Sequence, residues 1–194
     1  MDRPARRAIA LARHGEPALS RKVKLTSSGY RDWWATYEEG GIRTDQSPPD
    51  SLRALAARAV AVFSSTRRRA IETARAVAGD RPFTSDMLFI EAPLPPPPLP
   101  DGFKVSPRSW GVIARAAWWL GYGEGGETRA EAEVRAQEAA ERLITASADG
   151  GEVLLLAHGY FNNMIGIALQ RRGWKLTQDQ GFRYWSVRRF EPRG

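Results

Sequence analysis

The sequence predicts an α/β fold, a three-layer α/β/α sandwich with a mainly parallel central sheet. Short continuous apolar runs, typical of buried strands, occur at residues 7–12, in "AVAVFSS" at 59–65 and in "GEVLLLAHG" at 151–159. Longer segments with apolar residues at helical spacing lie between these runs. Strands that alternate with helices favour a parallel sheet with helices packed on its faces.

The predicted helices are bounded by residues suited to helix ends. The first, at 26–38, begins with hydroxyl residues that can cap it and is closed by Gly40 and Gly41. The next follows Pro48 and Pro49, and the third has Gly79 as its stop signal. Helices after the first are predicted at 51–58, 66–79, 107–120, 128–147 and 160–173.

Two segments carry weaker signals. Residues 81–91 are predicted to form short extended pieces, and "FRYWSVRRFE" at 182–191 alternates well enough for a final, partly exposed strand. Between them, "APLPPPPLP" at 92–100 excludes regular helix and central strand, because proline lacks the backbone donor. We interpret this stretch as a stiff loop, and residues 92–127 as the segment that determines specificity.

Composition and charge limit the possible classes of protein. The 194 residues, 42% of them hydrophobic, fit a single domain over 1–194. The absence of cysteine excludes disulfides, thiolate nucleophiles and cysteine metal sites, and fits a reducing compartment. No run approaches the roughly 20 apolar residues that span a bilayer, and the apolar run near the N-terminus is too short for a signal peptide. We therefore expect a cytoplasmic protein with no membrane partner, and the net charge of +7 favours an anionic one.

Both histidines of the chain directly follow predicted strands. His14 lies in "ALARHGEP" at 10–17, and His158 lies in "LLLAHGYF" at 154–161. Ligands of open α/β sheets bind outside the carboxyl ends of the strands. If the two strands are neighbours, the imidazoles converge at one edge of the sheet, where Arg13 completes a site for an anion.

Three consecutive arginines stand at the start of a predicted helix, in "FSSTRRRAIETA" at 63–74. Free backbone N–H groups and the helix dipole attract phosphate at this position, whereas cations are disfavoured there unless an anion is bound. The run therefore indicates a phosphate site. The alternative interpretations of the three arginines are a solvated basic face and a nucleic-acid-binding patch. The lack of a recognisable DNA- or RNA-binding module disfavours nucleic-acid binding.

Taken together, "LARHGEP", "SSTRRRAIETA", a glutamate after the third strand region and "LLAHGYF" resemble the histidine phosphatase superfamily, which has the phosphoglycerate-mutase-like fold. The resemblance covers about residues 7–190 in order and spacing. It implies that His14 is the nucleophile that accepts the phosphoryl group, that Arg13 binds phosphate, and that His158 is the second histidine of the pocket.

The same resemblance suggests roles for three further residues. Arg69 precedes alanine as the phosphate-binding arginine of the family does, whereas Arg67 stands where leucine is common. Glu91 in "LFIEAPLP" is the best match to the acidic proton donor, with Asp86 as a nearby alternative. Ser20, six residues after the nucleophile, stands where relatives often have a polar substrate contact.

General chemistry supports these roles. A neutral imidazole attacks phosphorus only when one nitrogen keeps a free lone pair, so we expect the other nitrogen of His14 to donate to an acceptor such as a backbone carbonyl. Phosphoryl transfer requires positioning and charge neutralisation, which arginines can supply without a metal or other cofactor. A carboxylic acid such as Glu91 would protonate the leaving alkoxide and then deprotonate the attacking water.

The sequence thus predicts a metal-independent phosphatase that hydrolyses a phosphomonoester through a phosphohistidine. Its partner would be a small phosphorylated substrate or a phosphoprotein, and both the particular substrate and the oligomeric state remain open. One alternative is a phosphoglycerate-type mutase, although "RHGEPALS" lacks the tryptophan and asparagine usual after the motif in mutases. The other alternative is a non-catalytic protein that binds a phosphorylated ligand.

Overall fold

The computed structural model describes residues 7–193, so the first six residues of the basic N-terminal stretch and residue 194 lie outside the description. Within these bounds the chain forms one six-stranded sheet and six α-helices. The strands are β1 Ala8–Arg13, β2 Ala61–Ser65, β3 Thr84–Asp86, β4 Glu152–Ala157, β5 Trp174–Asp179 and β6 Val187–Pro192. The helices are α1 Ser27–Glu39, α2 Asp50–Arg58, α3 Arg68–Ala78, α4 Pro107–Trp119, α5 Arg129–Ala146 and α6 Gly159–Arg171.

The sheet is mostly parallel, with strand order β3-β2-β4-β1-β6-β5. Strands β1 to β4 run in the same direction, β6 pairs antiparallel with β1, and β5 pairs antiparallel with β6. In the centre, β1 and β4 are aligned so that Arg13 lies opposite Ala157. The residues that follow these two strands therefore leave the sheet side by side.

Helices cover both faces of the sheet, which confirms the predicted three-layer arrangement. Ile9, Leu11 and Leu155 point to the face covered by α5 and α6, and Leu154 and Leu156 point to the face covered by α2 and α3. Side chains that alternate along buried strands separate these two cores. Among residues 7–193, no helix is both long and apolar enough to cross a membrane.

The helix ends follow local sequence chemistry. Thr26 and Ser106 cap α1 and α4 with their hydroxyl groups, and Thr128 forms a reciprocal capping box with Glu131 at the start of α5. Helix α3 stops at Gly79, whose φ of 59° is left-handed and favours glycine. The predicted helices are confirmed to within two residues at every end.

The C-terminal strands differ from the prediction. Strand β5 was not predicted, and its exposed half with polar residues gives little apolar signal for an edge strand. The final strand begins at Val187 and not at 182, because the preceding residues turn back toward β1. In that turn Trp185 has a φ of 63° and its backbone N–H donates to the carbonyl of Arg13 at 3.2 Å.

A third, smaller apolar cluster lies apart from the sheet. It joins α1, α4 and the proline-rich segment, with Tyr30 and Trp110 stacked at its centre. Leu94 and Leu99 of the segment 92–100 pack against it, and the Ser27 hydroxyl donates to the carbonyl of Pro97 at 2.8 Å. The segment is thus held in place without regular secondary structure, as predicted from its prolines.

Candidate active site

The two histidines meet at the carboxyl ends of β1 and β4. His14 follows β1 and His158 follows β4, and their ring centroids lie 5.3 Å apart with the planes inclined at 64°. Both side chains are buried. The parallel pairing of the two strands brings the rings together, which confirms the predicted convergence.

Local hydrogen bonding defines the form of His14. Its Nδ1 lies 2.7 Å from the carbonyl oxygen of Gly15. A carbonyl only accepts, so Nδ1 carries the proton and Nε2 keeps its lone pair. Burial, followed by the charges of Arg69 and Arg13, holds the pKa of His14 well below its usual value, so the ring is neutral at neutral pH. The expected carbonyl acceptor is therefore present.

His158 is hydrogen-bonded to Ser65, the last residue of β2. Its Nε2 is 2.8 Å from the hydroxyl oxygen of Ser65, which also accepts the backbone N–H of Arg67 at 3.2 Å. Its Nδ1 is buried without a protein partner. Burial and the charge of Arg69 hold the pKa of His158 well below its usual value. A serine in the arginine motif thus orients the second imidazole.

The glycine after each histidine permits a close approach. A Cβ on Gly15 would collide with the indole of Trp185, and a Cβ on Gly159 would lie 3.2 Å from Nε of Arg13. The backbone N–H of Gly15 also donates to the hydroxyl of Thr73 in α3 at 3.0 Å. The repeated "HG" pair therefore has a steric reason besides the histidines themselves.

Arg13 extends from the end of β1 across the start of α6. Its guanidinium lies 4.4 Å from the ring centroid of Tyr184, and its Nη1 donates to the carbonyl of Phe182. Its Nε is buried without a protein partner. The arginine is thus anchored at one side and retains an unused donor.

Arg69 is the most buried of the three consecutive arginines, with a side chain 1% exposed. Its Nη2 donates to the carboxylate of Glu38 at 2.7 Å, and its Nη1 donates to the carbonyls of Tyr37 at 3.0 Å and Glu38 at 3.2 Å. Nε has no protein partner. Arg67 binds the other oxygen of Glu38 at 2.7 Å, so this single carboxylate holds two of the three arginines.

A cavity of about 150 Å³ opens in front of His14, and we call it the His14 cavity. Four of the predicted site residues line it: Arg13, His14, Arg69 and Glu91. Its other walls are cationic, aromatic or apolar side chains and one glycine. These are Arg21, Tyr30, Trp33, Trp34, Tyr37, Leu94, Pro107, Arg108 and Gly111. The cavity therefore combines a neutral imidazole with four arginines and one carboxylate.

Glu91 lies at the N-terminus of α6. Its carboxylate accepts the backbone N–H groups of Phe161 at 2.8 Å, Ala92 at 3.1 Å and Tyr160 at 3.3 Å. The alternative carboxylate, Asp86, caps the short 3₁₀ turn by accepting from the N–H of Leu88, and it does not line the His14 cavity. The position of Glu91 on the cavity wall favours it over Asp86.

Two arginines outside the cavity hold the segment around Glu91. Arg135 of α5 donates to the carbonyls of Leu88 and Ile90, both at 2.9 Å. Arg115 of α4 donates to the carbonyls of residues 92 and 93 at 3.2 and 3.3 Å. Backbone groups on both sides of Glu91 are therefore fixed by buried or partly buried cations.

Ser20 is exposed and lines a neighbouring cavity, not the one that contains His14. Its hydroxyl accepts the backbone N–H of Lys22 at 3.2 Å. The substrate contact predicted for Ser20 stays a prediction. The next residue, Arg21, does line the His14 cavity and donates to the hydroxyl of Tyr37 at 2.9 Å.

Several residues of the site were not predicted. They are Arg21, Tyr37, Glu38, Ser65 and Tyr184. Tyr184 lies 5.8 Å from the ring of His14 and comes from the turn between β5 and β6. Nothing in the sequence near 184 marks it, whereas the serine pair in "SSTRRRA" stood beside the phosphate motif and was a usable signal for Ser65.

Comparison with known sequences gives the same assignment as the motifs. The sequence model of the Histidine phosphatase superfamily (branch 1) matches residues 9–194. The chain belongs to this superfamily. No curated protein matches it.

Several solved structures have the same fold as this chain. A mutant phosphoserine phosphatase from Entamoeba histolytica, in complex with phosphoserine, superposes with a TM-score of 0.57 at 14% identity, over 94% of this chain and 89% of that one. A phosphoglycerate mutase from Bacillus anthracis str. Sterne gives 0.57 at 15% identity, over 97% and 89%. The product of the open reading frame Rv3214 from Mycobacterium tuberculosis gives 0.52 at 19% identity, over 93% and 89%. At these identities the likeness establishes the phosphoglycerate-mutase-like fold alone.

Proposed function

We propose that the protein is a metal-independent phosphatase that hydrolyses a phosphomonoester through a phosphohistidine at His14. The observation that carries the proposal is the neutral His14 ring, whose Nδ1 is tied to a carbonyl while its Nε2 is free. This ring lines a cavity together with Arg13, Arg69 and Glu91. A nucleophile, cationic groups for the phosphoryl oxygens and a proton donor thus share one cavity.

In the first step, Nε2 of His14 donates its lone pair to phosphorus, and the bond between phosphorus and the bridging oxygen breaks. The leaving oxygen takes the bond electrons and a proton from the carboxyl group of Glu91, which gives a free alcohol. The imidazole becomes positively charged as the N–P bond forms. The Gly15 carbonyl, which accepts from Nδ1–H, stabilises that charge.

In the second step, a water molecule enters the place of the alcohol. The carboxylate of Glu91 removes a proton from this water as its oxygen attacks phosphorus. The N–P bond breaks, inorganic phosphate leaves, and both His14 and the protonated Glu91 return to their initial forms. One carboxyl group therefore acts as acid and then as base.

Arginines and His158 would neutralise the charge of the phosphoryl oxygens. The Nε atoms of Arg13 and Arg69 and the Nδ1 of His158 are buried without protein partners, which is uncommon unless a ligand satisfies them. The Ser65 hydroxyl can donate to Nε2 of His158, which would leave a proton on Nδ1 for the phosphate. Within residues 7–193 no three His, Asp or Glu side chains cluster as metal ligands do.

Residues 92–127 would determine which alcohol is accepted. Four residues of this segment, Leu94, Pro107, Arg108 and Gly111, line the His14 cavity. The segment would contact the substrate where the alcohol joins the phosphoryl group.

The experiment is hydrolysis of a phosphomonoester by the purified protein and by His14→Ala, with folding checked by circular dichroism. We expect release of inorganic phosphate by the wild type, no effect of a metal chelator, and loss of activity in a folded His14→Ala variant. Full activity of that variant, or inactivation by the chelator, would refute the proposal. Transfer of the phosphoryl group to a second alcohol, with no inorganic phosphate released, would favour the mutase alternative.

A further inference from the structure

A second, larger cavity lies next to the His14 cavity. It has a volume of about 530 Å³ and we call it the Met87 cavity. Its lining shares Trp34 and Glu91 with the His14 cavity. The predicted proton donor therefore stands on a wall common to both spaces. A group bound to the oxygen that Glu91 protonates would therefore lie at the border of the Met87 cavity.

Four of the five charged side chains of the Met87 cavity form two ion pairs, and the fifth is Glu91. Arg67 binds Glu38 at 2.7 Å, and Arg135 binds Glu127 at 2.6 Å. Arg135 also donates to two backbone carbonyls. Both cations are therefore ion-paired within the protein, although Nε of Arg67, like those of Arg13 and Arg69, is buried without a protein partner.

The remaining surface of the Met87 cavity is largely apolar. Leu88, Ile90, Ala92, Pro93 and the indole of Trp34 line it. Met87 is 69% exposed, so a large apolar side chain stands at the surface with little protein packed on it. Apolar and aromatic walls with few polar groups are typical of sites that bind the organic part of a ligand.

The volumes of the two cavities suggest a division of roles. Pockets for small molecules commonly measure about 300–1,000 Å³, and the His14 cavity, at about 150 Å³, lies below that range. The Met87 cavity, at about 530 Å³, lies within it. The first suits a phosphoryl group, and the second suits the alcohol to which that group is bound.

We infer that the substrate is a monoester of a large, uncharged and mostly apolar alcohol, whose apolar part binds in the Met87 cavity against Met87 and Trp34. The inference rests on the proposed function, because the alcohol lies beside Glu91 only if Glu91 protonates the leaving oxygen. A second anionic group on the alcohol would enter a space with three carboxylates, Glu38, Glu91 and Glu127, against two arginines that are already ion-paired.

The test compares two primary alkyl esters with similar leaving groups, 2-(2-naphthyl)ethyl phosphate and ethyl phosphate. Burying an aromatic group of this size should raise kcat/KM for the naphthyl ester at least about tenfold. Equal kcat/KM values for the two esters would overturn the inference while leaving the phosphatase assignment intact. If the wild type hydrolyses neither ester, the inference fails, and the proposed function fails with it only if no other phosphomonoester is hydrolysed.

Substitutions at Met87 test whether the preference for the naphthyl ester arises in the Met87 cavity. Met87→Glu should lower the ratio of the two kcat/KM values by about tenfold, because it places a charge where the apolar group binds, and Met87→Leu should preserve the ratio. Leu120→Glu is the matched control, since Leu120 is 90% exposed and lines neither cavity. An unchanged ratio in Met87→Glu, or an equal drop in Leu120→Glu, would place the apolar group elsewhere and overturn the inference.

Discussion

The carboxylate of Glu38 is expected to be the main structural support of Arg69. Its two oxygens bind Arg69 and Arg67, each at 2.7 Å, and the Arg69 side chain is 1% exposed. Glu38→Ala would leave a buried guanidinium with only carbonyl acceptors. Breaking a buried ion pair from one side costs about 3–5 kcal/mol. We expect the free energy of unfolding to fall by about 3 kcal/mol, the lower end of this range, because two hydrogen bonds from Nη1 of Arg69 to backbone carbonyls remain. Loss of the ion pair with Arg67 adds little to this cost, because the Arg67 side chain is 37% exposed.

Urea unfolding measures this loss, with Glu39→Ala as the control because Glu39 is the adjacent, exposed carboxylate on the same helix. A loss of about 3 kcal/mol corresponds to a fall in Tm of roughly 6–12 °C for a domain of this size. We also expect kcat/KM to fall in Glu38→Ala, because Arg69 loses its fixed position. If Glu38→Ala unfolds within about 0.5 kcal/mol of the control, the ion pair does not support Arg69 as argued.

Three further outcomes follow from the site. Burial lowers the pKa of His14 and His158 below the ordinary value of 6.5, so the unfolded chain binds more protons than the folded one. The contribution of these two histidines to the free energy of unfolding should therefore be constant above about pH 6.5, and stability should decrease as the pH falls below it. Urea unfolding between about pH 5 and pH 8 should show this slope, and a pH-independent free energy of unfolding would contradict it. Gly15→Ala should destabilise the fold by about 1–3 kcal/mol, because the new methyl group meets Trp185; a neutral effect in thermal unfolding would refute the steric argument. Ser65→Ala should lower kcat and destabilise by about 1–3 kcal/mol, since a buried ring nitrogen of His158 loses its partner; wild-type kcat with wild-type stability would exclude an orienting role.

Much of the fold could be predicted because its elements have strong local signals. The buried strands β1, β2 and β4 are continuous apolar runs, and the helices have caps, glycine stops or proline starts. Strand β5 could not be predicted, since an edge strand with one polar, exposed half lacks a continuous apolar run. Its position follows from pairing with β6, a long-range contact that no local pattern encodes.

The candidate site likewise contains residues that the sequence predicts and residues that only the folded chain reveals. His14, Arg13, Arg69 and His158 stand in short motifs next to strand ends, so their convergence follows from parallel pairing of the strands. Tyr184 reaches His14 only because the turn before β6 folds back on β1. The residues that anchor the predicted ones, Glu38 above all, lie on other elements and are found only when the chain is folded.

Trapping the covalent intermediate tests the central claim most directly. The protein is mixed with substrate, quenched in alkali, where a phosphoramidate survives, and digested for mass spectrometry. We predict one added phosphoryl group on the peptide that contains His14, and none in His14→Ala. A phosphoryl group on another residue, or turnover of substrate by His14→Ala, would contradict a reaction through His14.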